Sequence, residues 1–216
     1  DAQDIASDSV AIQGFPALEY LLYDDAMDEQ ALSDPAACDL MQAITTHLAD
    51  TTSALHRDWQ AFGEHYLETA DYTETTLASA IQTLELLEDK RLGEPMGLKG
   101  APANGYLAEA WRSGQTVRLV ESSLEGLRTG FLPGLTALLR EADALPLAEA
   151  FRDQLDKTLV QASELPPGLV PSLEDEEAFR GLQSLYLDIS QLRHLLGNEI
   201  AGELGLVRGF NSSDGD

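Results

Sequence analysis

An all-α fold is predicted by three features of the 216-residue chain. Its composition is 44% hydrophobic but only 6% aromatic, and it is rich in Ala, Leu, Glu and Gln, the residues that helices use and that sandwiches or barrels generally do not. Apolar residues recur at intervals of three and four, and no segment shows a convincing alternation of period two. The amphipathic stretches are long and are separated by loops punctuated with Gly and Pro, so helix-on-helix layers follow, with up-and-down antiparallel neighbours of bundle type. A chain of this length can bury one large core or two modest ones.

Ser9 to Tyr23 carries Phe15, Leu18, Leu21 and Leu22 at helical spacing, with Gly14 and Pro16 just before the densest part and Pro16 suited to a first turn or a kink. The acidic loop Asp24, Asp25, Asp28, Glu29 leads to Asp34-Pro35, a helix start, and then to the stripe Met41, Ile44, Leu48, Leu55, Trp59, Phe62 and Tyr66 over about nine turns. Asp71 and Glu74 have capping-box spacing before the stripe Leu77, Ile81, Leu84, Leu87 and Arg91, which Gly93 and Pro95 close. Val117, Val120, Leu124, Leu127 and Phe131 predict a helix that stops at Leu132-Pro133-Gly134, followed by a brief one around Leu135, Leu138 and Leu139. Pro146 opens the next, with Leu147, Phe151, Leu155 and Leu159 on one face, and Pro166-Pro167-Gly168 ends it. Ser172 with Asp175 is expected to cap the last long helix, striped by Phe179, Leu182, Tyr186, Ile189, Leu192, Leu196 and Ile200.

The organisation expected from this pass is a first helical part over 1–93, a hinge loop over 94–105 that is rich in Gly and Pro, and a second helical part over 106–216. The first segment has an apolar face with no partner upstream, so the first part reads as incomplete at its N-terminus and completed by preceding residues.

A net charge of −25, from 38 Asp and Glu against 13 Lys and Arg, repels phosphate backbones and anionic lipid, which argues against a nucleic-acid partner. No apolar run is long enough to cross a bilayer, and the start Asp1-Ala2-Gln3 shows neither the basic nor the apolar region of a signal peptide. Cys38 is the only cysteine, so no intrachain disulfide exists.

His47, His56 and His65 share one predicted helix at intervals of nine. At about 100° per residue His56 then points away from the other two, and His47 and His65 stand about 27 Å apart, so they do not form one metal site. His65, Glu64 and Glu68 are close in register, but no second cluster at ligand spacing closes a shell around them. His194 lies near Asn198 on the last long helix and reads as a packed or surface residue. Cys38 has no neighbouring His, no Gly-x-Ser-x-Gly elbow is present, and the glycines of 93–105 fit neither dinucleotide nor P-loop patterns.

Gly14-Phe15-Pro16-Ala17-Leu18-Glu19-Tyr20-Leu21-Leu22-Tyr23 resembles the signature of the imelysin family, Gly-x-His-x-x-Glu followed by an apolar helical run. Gly209-Phe210-Asn211-Ser212-Ser213-Asp214-Gly215-Asp216 looks like the end of that domain, and Glu85 to Gly97, with Leu-Glu-Asp-Lys and Gly-Glu-Pro-Met-Gly, is similar to a third family stretch. The resemblance implies a two-part helical-bundle fold, export to the periplasm or to an outer-membrane lipoprotein with a lipid anchor upstream, and association with iron-regulated uptake. His and Glu at i, i+3 on a helix face the same way, which lets them share a metal. Here Gly14 and Glu19 match while Pro16 stands at the histidine position, offering no nitrogen ligand and no proton.

Three functions follow as expectations. The first is a non-enzymatic exported protein that binds a ligand or a partner in bacterial iron or metal acquisition, through a cleft of Gly14, Pro16, Glu19, Asn211 and Asp214. Its cofactor is unassigned, with a divalent or ferric metal ion as the candidate, and its partner is an iron-uptake or envelope protein. The second is a metallopeptidase that uses Glu19 with ligands from elsewhere, and the third is an envelope interaction module without a small ligand.

Overall fold

The computed structural model describes residues 12–69 and 72–206, and every regular element among them is helical. The chain forms two compact units, Asp1–Ala70 and Asp71–Asp216.

In the first unit, α1 (Phe15–Tyr23) and the short α2 (Glu29–Leu32) precede α3 (Pro35–Glu68), a helix of 34 residues. The start of α3 follows from its sequence. Asp34 Oδ1 accepts a hydrogen bond from the Ala36 amide at 2.9 Å, and Pro35 occupies the first turn, where its missing N–H costs no internal bond. Leu21 of α1 and Ile44 of α3 make a small core, joined by Ala17, Leu18, Met27, Leu40, Met41 and Leu48. Further along α3, Trp59 lies with its ring centroid 5.8 Å from Phe62 and 6.3 Å from Tyr66, the neighbours expected at i+3 and i+7 on one helix face.

The second unit is an antiparallel bundle. Its rods are α4 (Thr73–Glu85), α5 (Thr116–Gly126), α6 (Leu132–Glu141), α7 (Leu145–Glu164) and α9 (Glu176–His194), with the short α8 (Leu169–Ser172) and α10 (Ala201–Glu203) at turns. Three π-helical segments continue α4, α5 and α9 without interruption: Leu86–Gly93, Leu127–Phe131 and Leu195–Ile200. Helix α4 packs on α9, α9 on α7 and α7 on α5, and α5 closes the ring against the Leu86–Gly93 segment. Opposed pairings fix the directions: Val117 N donates to Pro167 O at 2.9 Å near one end of the α5–α7 pair, and Arg128 faces Asp156 at the other. The core runs along this ring through Leu84, Leu87, Val120, Leu124, Phe151, Leu155, Leu182, Leu185, Ile189 and Leu196.

Several expected boundaries move. Residues 72–93, grouped above with the first helices, place Leu77, Leu84 and Leu87 in the core of the second unit, and the 94–105 segment lies within that unit with Pro95 and Met96 buried. The Val117–Phe131 helix does not stop at Leu132-Pro133-Gly134. Its π-helical end runs straight into α6, and Pro133 sits in the first turn of that helix, where proline is tolerated. Asp175 alone caps α9, accepting from Ala178 N at 2.8 Å, while Ser172 belongs to α8 and donates to Gly168 O. Tyr72 is the N-cap of α4 and makes no capping bond through its side group; Asp71, the expected partner of Glu74, lies outside the described residues.

Candidate functional site

The motif in the first unit is a turn leading into a helix. Gly14 stands at the N-cap with φ 86°, in the left-handed region that only glycine adopts at low cost, and its carbonyl accepts from Leu18 N at 3.3 Å. Pro16 sits in the first turn of α1, exposed, with its fixed φ suited to helix initiation. Glu19, three residues on, is half-buried and already engaged with protein groups. Gly14, Pro16 and Glu19 thus lie within the first two turns of one helix start, with Glu19 about one turn beyond Pro16. Asn211 and Asp214, the other two expected cleft residues, lie outside the described residues.

Holding a metal at this turn would require donors beside Glu19. Pro16 supplies none, and no group of three or more His, Cys, Asp or Glu with metal-holding geometry occurs among the described residues. The described part of the motif therefore does not fit a metal by itself. His47, His56 and His65 lie along α3 as their spacing requires. His194 is exposed, with Asn198 Nδ2 at 2.6 Å from its Nδ1; since an amide nitrogen only donates, the ring proton belongs on Nε2, 4.0 Å from Glu199. That pair borders an open groove of about 540 Å³ lined by Ala150, Gln154, Leu187 and Leu195 among others.

The most elaborate polar arrangement lies in the second unit, on the Leu86–Gly93 segment. All four of its charged side chains are paired, to neighbours in four different places. Glu88, almost wholly buried, accepts from Arg193 Nε of α9 at 2.5 Å, and Glu85 lies 3.6 Å from the same guanidinium. Asp89 pairs with Lys99, Lys90 with Glu94, and Arg91 with Glu109 at 2.8 Å, while Arg91 also donates to Ser123 Oγ of α5 at 3.1 Å. The wider π-helical turn makes room for this by pairing Glu94 N with Asp89 O, five residues back. Gly93 completes the packing, because a Cβ there would lie 2.9 Å from Glu88 O and 3.3 Å from the Tyr186 ring.

Burial opposes the charge on Arg193, but the hydrogen bond and attraction of Glu88, helped by Glu85 and Asp89, outweigh it and hold the guanidinium above its ordinary pKa. The hydrogen bond that Lys99 donates to Asp89 likewise raises its pKa, against a smaller opposing effect of burial and with added support from the charge of Asp89 and from Tyr186. A lysine raised in the folded state stabilises fully below its ordinary pKa and loses that contribution as pH rises through the folded value. Lys99→Met is therefore expected to lower stability at neutral pH, where the contribution is fully present, and to flatten the alkaline limb, so that the two curves converge as pH rises through the folded value, as measured by urea midpoints across pH.

The two ends of this ionic clasp leave a signal in the sequence. Glu88 continues the 77, 81, 84 stripe by four, and Arg193 continues the 182, 186, 189 stripe by four. A charge on a buried stripe calls for a counter-charge, but spacing alone does not say which.

The model of the imelysin family, classed as peptidase M75, matches residues 1–196. This chain belongs to the imelysin family. Its all-helical architecture agrees with that membership. Comparison with curated proteins and with solved structures returns no match. The Glu85 to Gly97 stretch of this imelysin-family protein is the clasp itself, and the structure gives its charged residues an architectural use. No described helix is long and apolar enough to cross a membrane.

Proposed function

We propose that this imelysin-family member is a non-enzymatic protein of the bacterial periplasm or outer membrane that binds a ligand or a partner in iron or metal acquisition. The observation that carries the reading is Pro16. The family's paired imidazole and carboxylate are reduced to Glu19, and proline in the first turn of α1 has neither a lone pair for a metal nor a proton to transfer. What the turn keeps is a carboxylate on a rigid helix start, which suits recognition of a cationic group or sharing of a metal with donors from elsewhere.

The test is made on the full-length protein. Incubation with unfolded peptide substrates is expected to yield no cleavage, and calorimetric titration with ferric iron, zinc, copper and calcium is expected to show one saturable heat that Glu19→Ala weakens about tenfold or more. Peptide cleavage abolished by a chelator would replace this reading with a metallopeptidase built around Glu19. Titrations flat for all four ions would leave a docking module for an envelope protein as the better account.

A further inference from the structure

Residues 94–115 join the Leu86–Gly93 segment to α5, and they are fastened at four points. Lys99 pairs with Asp89, Glu109 with Arg91 at 2.8 Å, and Asn104 N donates to Pro95 O at 2.8 Å. The fourth is Gly105, buried against α8 and its C-cap so closely that a Cβ would lie 2.9 Å from Val170 Cγ2 and 3.2 Å from Leu173. In the middle of this clamp stands the protein's only Asn-Gly sequence, with Asn104 exposed.

An asparagine followed by glycine is chemically vulnerable, because the glycine nitrogen has no neighbouring Cβ to shield it or to restrict its approach to the side-chain amide. Both residues are here for structural reasons. Asn104 Oδ1 accepts from Tyr106 N at 3.1 Å and so caps the 3₁₀ turn Gly105–Leu107, while Val170 excludes any larger residue at 105.

We propose that Asn104 is a spontaneous deamidation site gated by release of the 94–115 segment. In the reaction Gly105 N attacks Asn104 Cγ, a new C–N bond closes a five-membered succinimide, and the bond from Cγ to Nδ2 breaks to release ammonia, which carries away the proton from Gly105 N. Water then opens the ring to aspartate or to isoaspartate, so the net change is gain of one water and loss of one ammonia.

Ring closure requires Gly105 N to eclipse Cβ about the Asn104 Cα–C bond. At the observed ψ of 96° the nitrogen of an L-residue lies near the opposite side, closer to anti than to eclipsed. Reaching it swings the Asn104 carbonyl away from Leu107 N, now 3.1 Å distant, and pulls Gly105 from its seat. The clamped state is therefore unreactive and the reaction samples only the open one. The aspartate product keeps an oxygen for the cap. Isoaspartate adds a backbone carbon and does not, so that product leaves the segment detached.

Trypsin cleaves after Lys99 and Arg112, which isolates Asn104 in one peptide whose amide-to-acid conversion is followed by mass spectrometry. The full-length protein aged in buffer is expected to deamidate at least about tenfold more slowly than the same protein in urea, the ratio reporting the open fraction. Arg91→Ala and Lys99→Ala, each removing one fastening, are expected to speed the native reaction severalfold, whereas Arg152→Ala, whose partner is Asp153, leaves it unchanged. Equal rates in buffer and urea would overturn the proposal without any variant. So would an unchanged rate in both clamp variants when amide exchange shows Leu107 N exposed.

Discussion

Arg193→Ala is expected to destabilise the second unit by about 3 kcal/mol, at the lower end of what losing one partner of a buried ion pair costs. The reason lies with Glu88. Its side chain is 4% exposed and the guanidinium is its charge partner, so truncating Arg193 leaves a carboxylate that must be buried without compensation or drag water into the bundle. The lower end applies because Arg193 is itself one-third exposed, and solvent can partly replace it. Urea unfolding followed by Trp111 fluorescence, with Trp59→Phe as background, measures the effect within the second unit. Adding Glu88→Gln to Arg193→Ala should recover part of the loss, because a neutral amide needs no counter-charge. If the single variant lost less than about 1 kcal/mol, Glu88 would have to have found another partner.

The same pair shows what the sequence disclosed and what it concealed. Helices were legible wherever apolar residues stepped by three and four, and Asp34-Pro35 and Asp175 marked their starts because a short acidic side chain meets the free amides of a first turn. The π-helical segments were not legible. Their hydrogen bonds reach five residues back, which leaves the apolar stripe intact and merely widens it, so Leu86–Gly93 and Leu127–Phe131 read as ordinary helix ends. The glycines of 93–105 read as a hinge, since composition cannot distinguish a flexible joint from a turn that needs glycine for close packing. Gly97 shows the second case: its φ is 76°, and a Cβ would lie 2.6 Å from Ala103 N.

For the candidate site the balance is different. Gly14, Pro16 and Glu19 belong to a motif whose spacing has a physical reason, and the start of one helix carries all three. Glu88 and Arg193 each occupy a stripe position usual for apolar residues, but they stand 105 residues apart and one-dimensional spacing does not register such a pairing. Local chemistry was visible in the sequence; pairing across the bundle required the fold.

Phe151→Ala is expected to cost more, about 3–5 kcal/mol, as the largest wholly buried side chain of the bundle. Phe151 lies on α7, the helix that packs against α5, α6 and α9, and its ring meets the edge of Phe131 with centroids 6.3 Å apart. Alanine removes the ring's transfer free energy and leaves a cavity that rods fixed on three sides close only in part. Phe151→Leu retains most of the volume and should cost about 1.5 kcal/mol or less. The two variants together separate burial from geometry. If leucine were as damaging as alanine, the edge-on contact with Phe131 would govern the site; a small leucine cost beside a large alanine cost assigns the stability to filled volume. Because Phe151 and Arg193 sit on different packed pairs, the α7–Phe131 contact and the Glu88 clasp, combining their alanine variants should add the two losses to within about 0.5 kcal/mol. A combined loss well short of that sum would mean that α7 and α9 transmit strain between the core and the clasp.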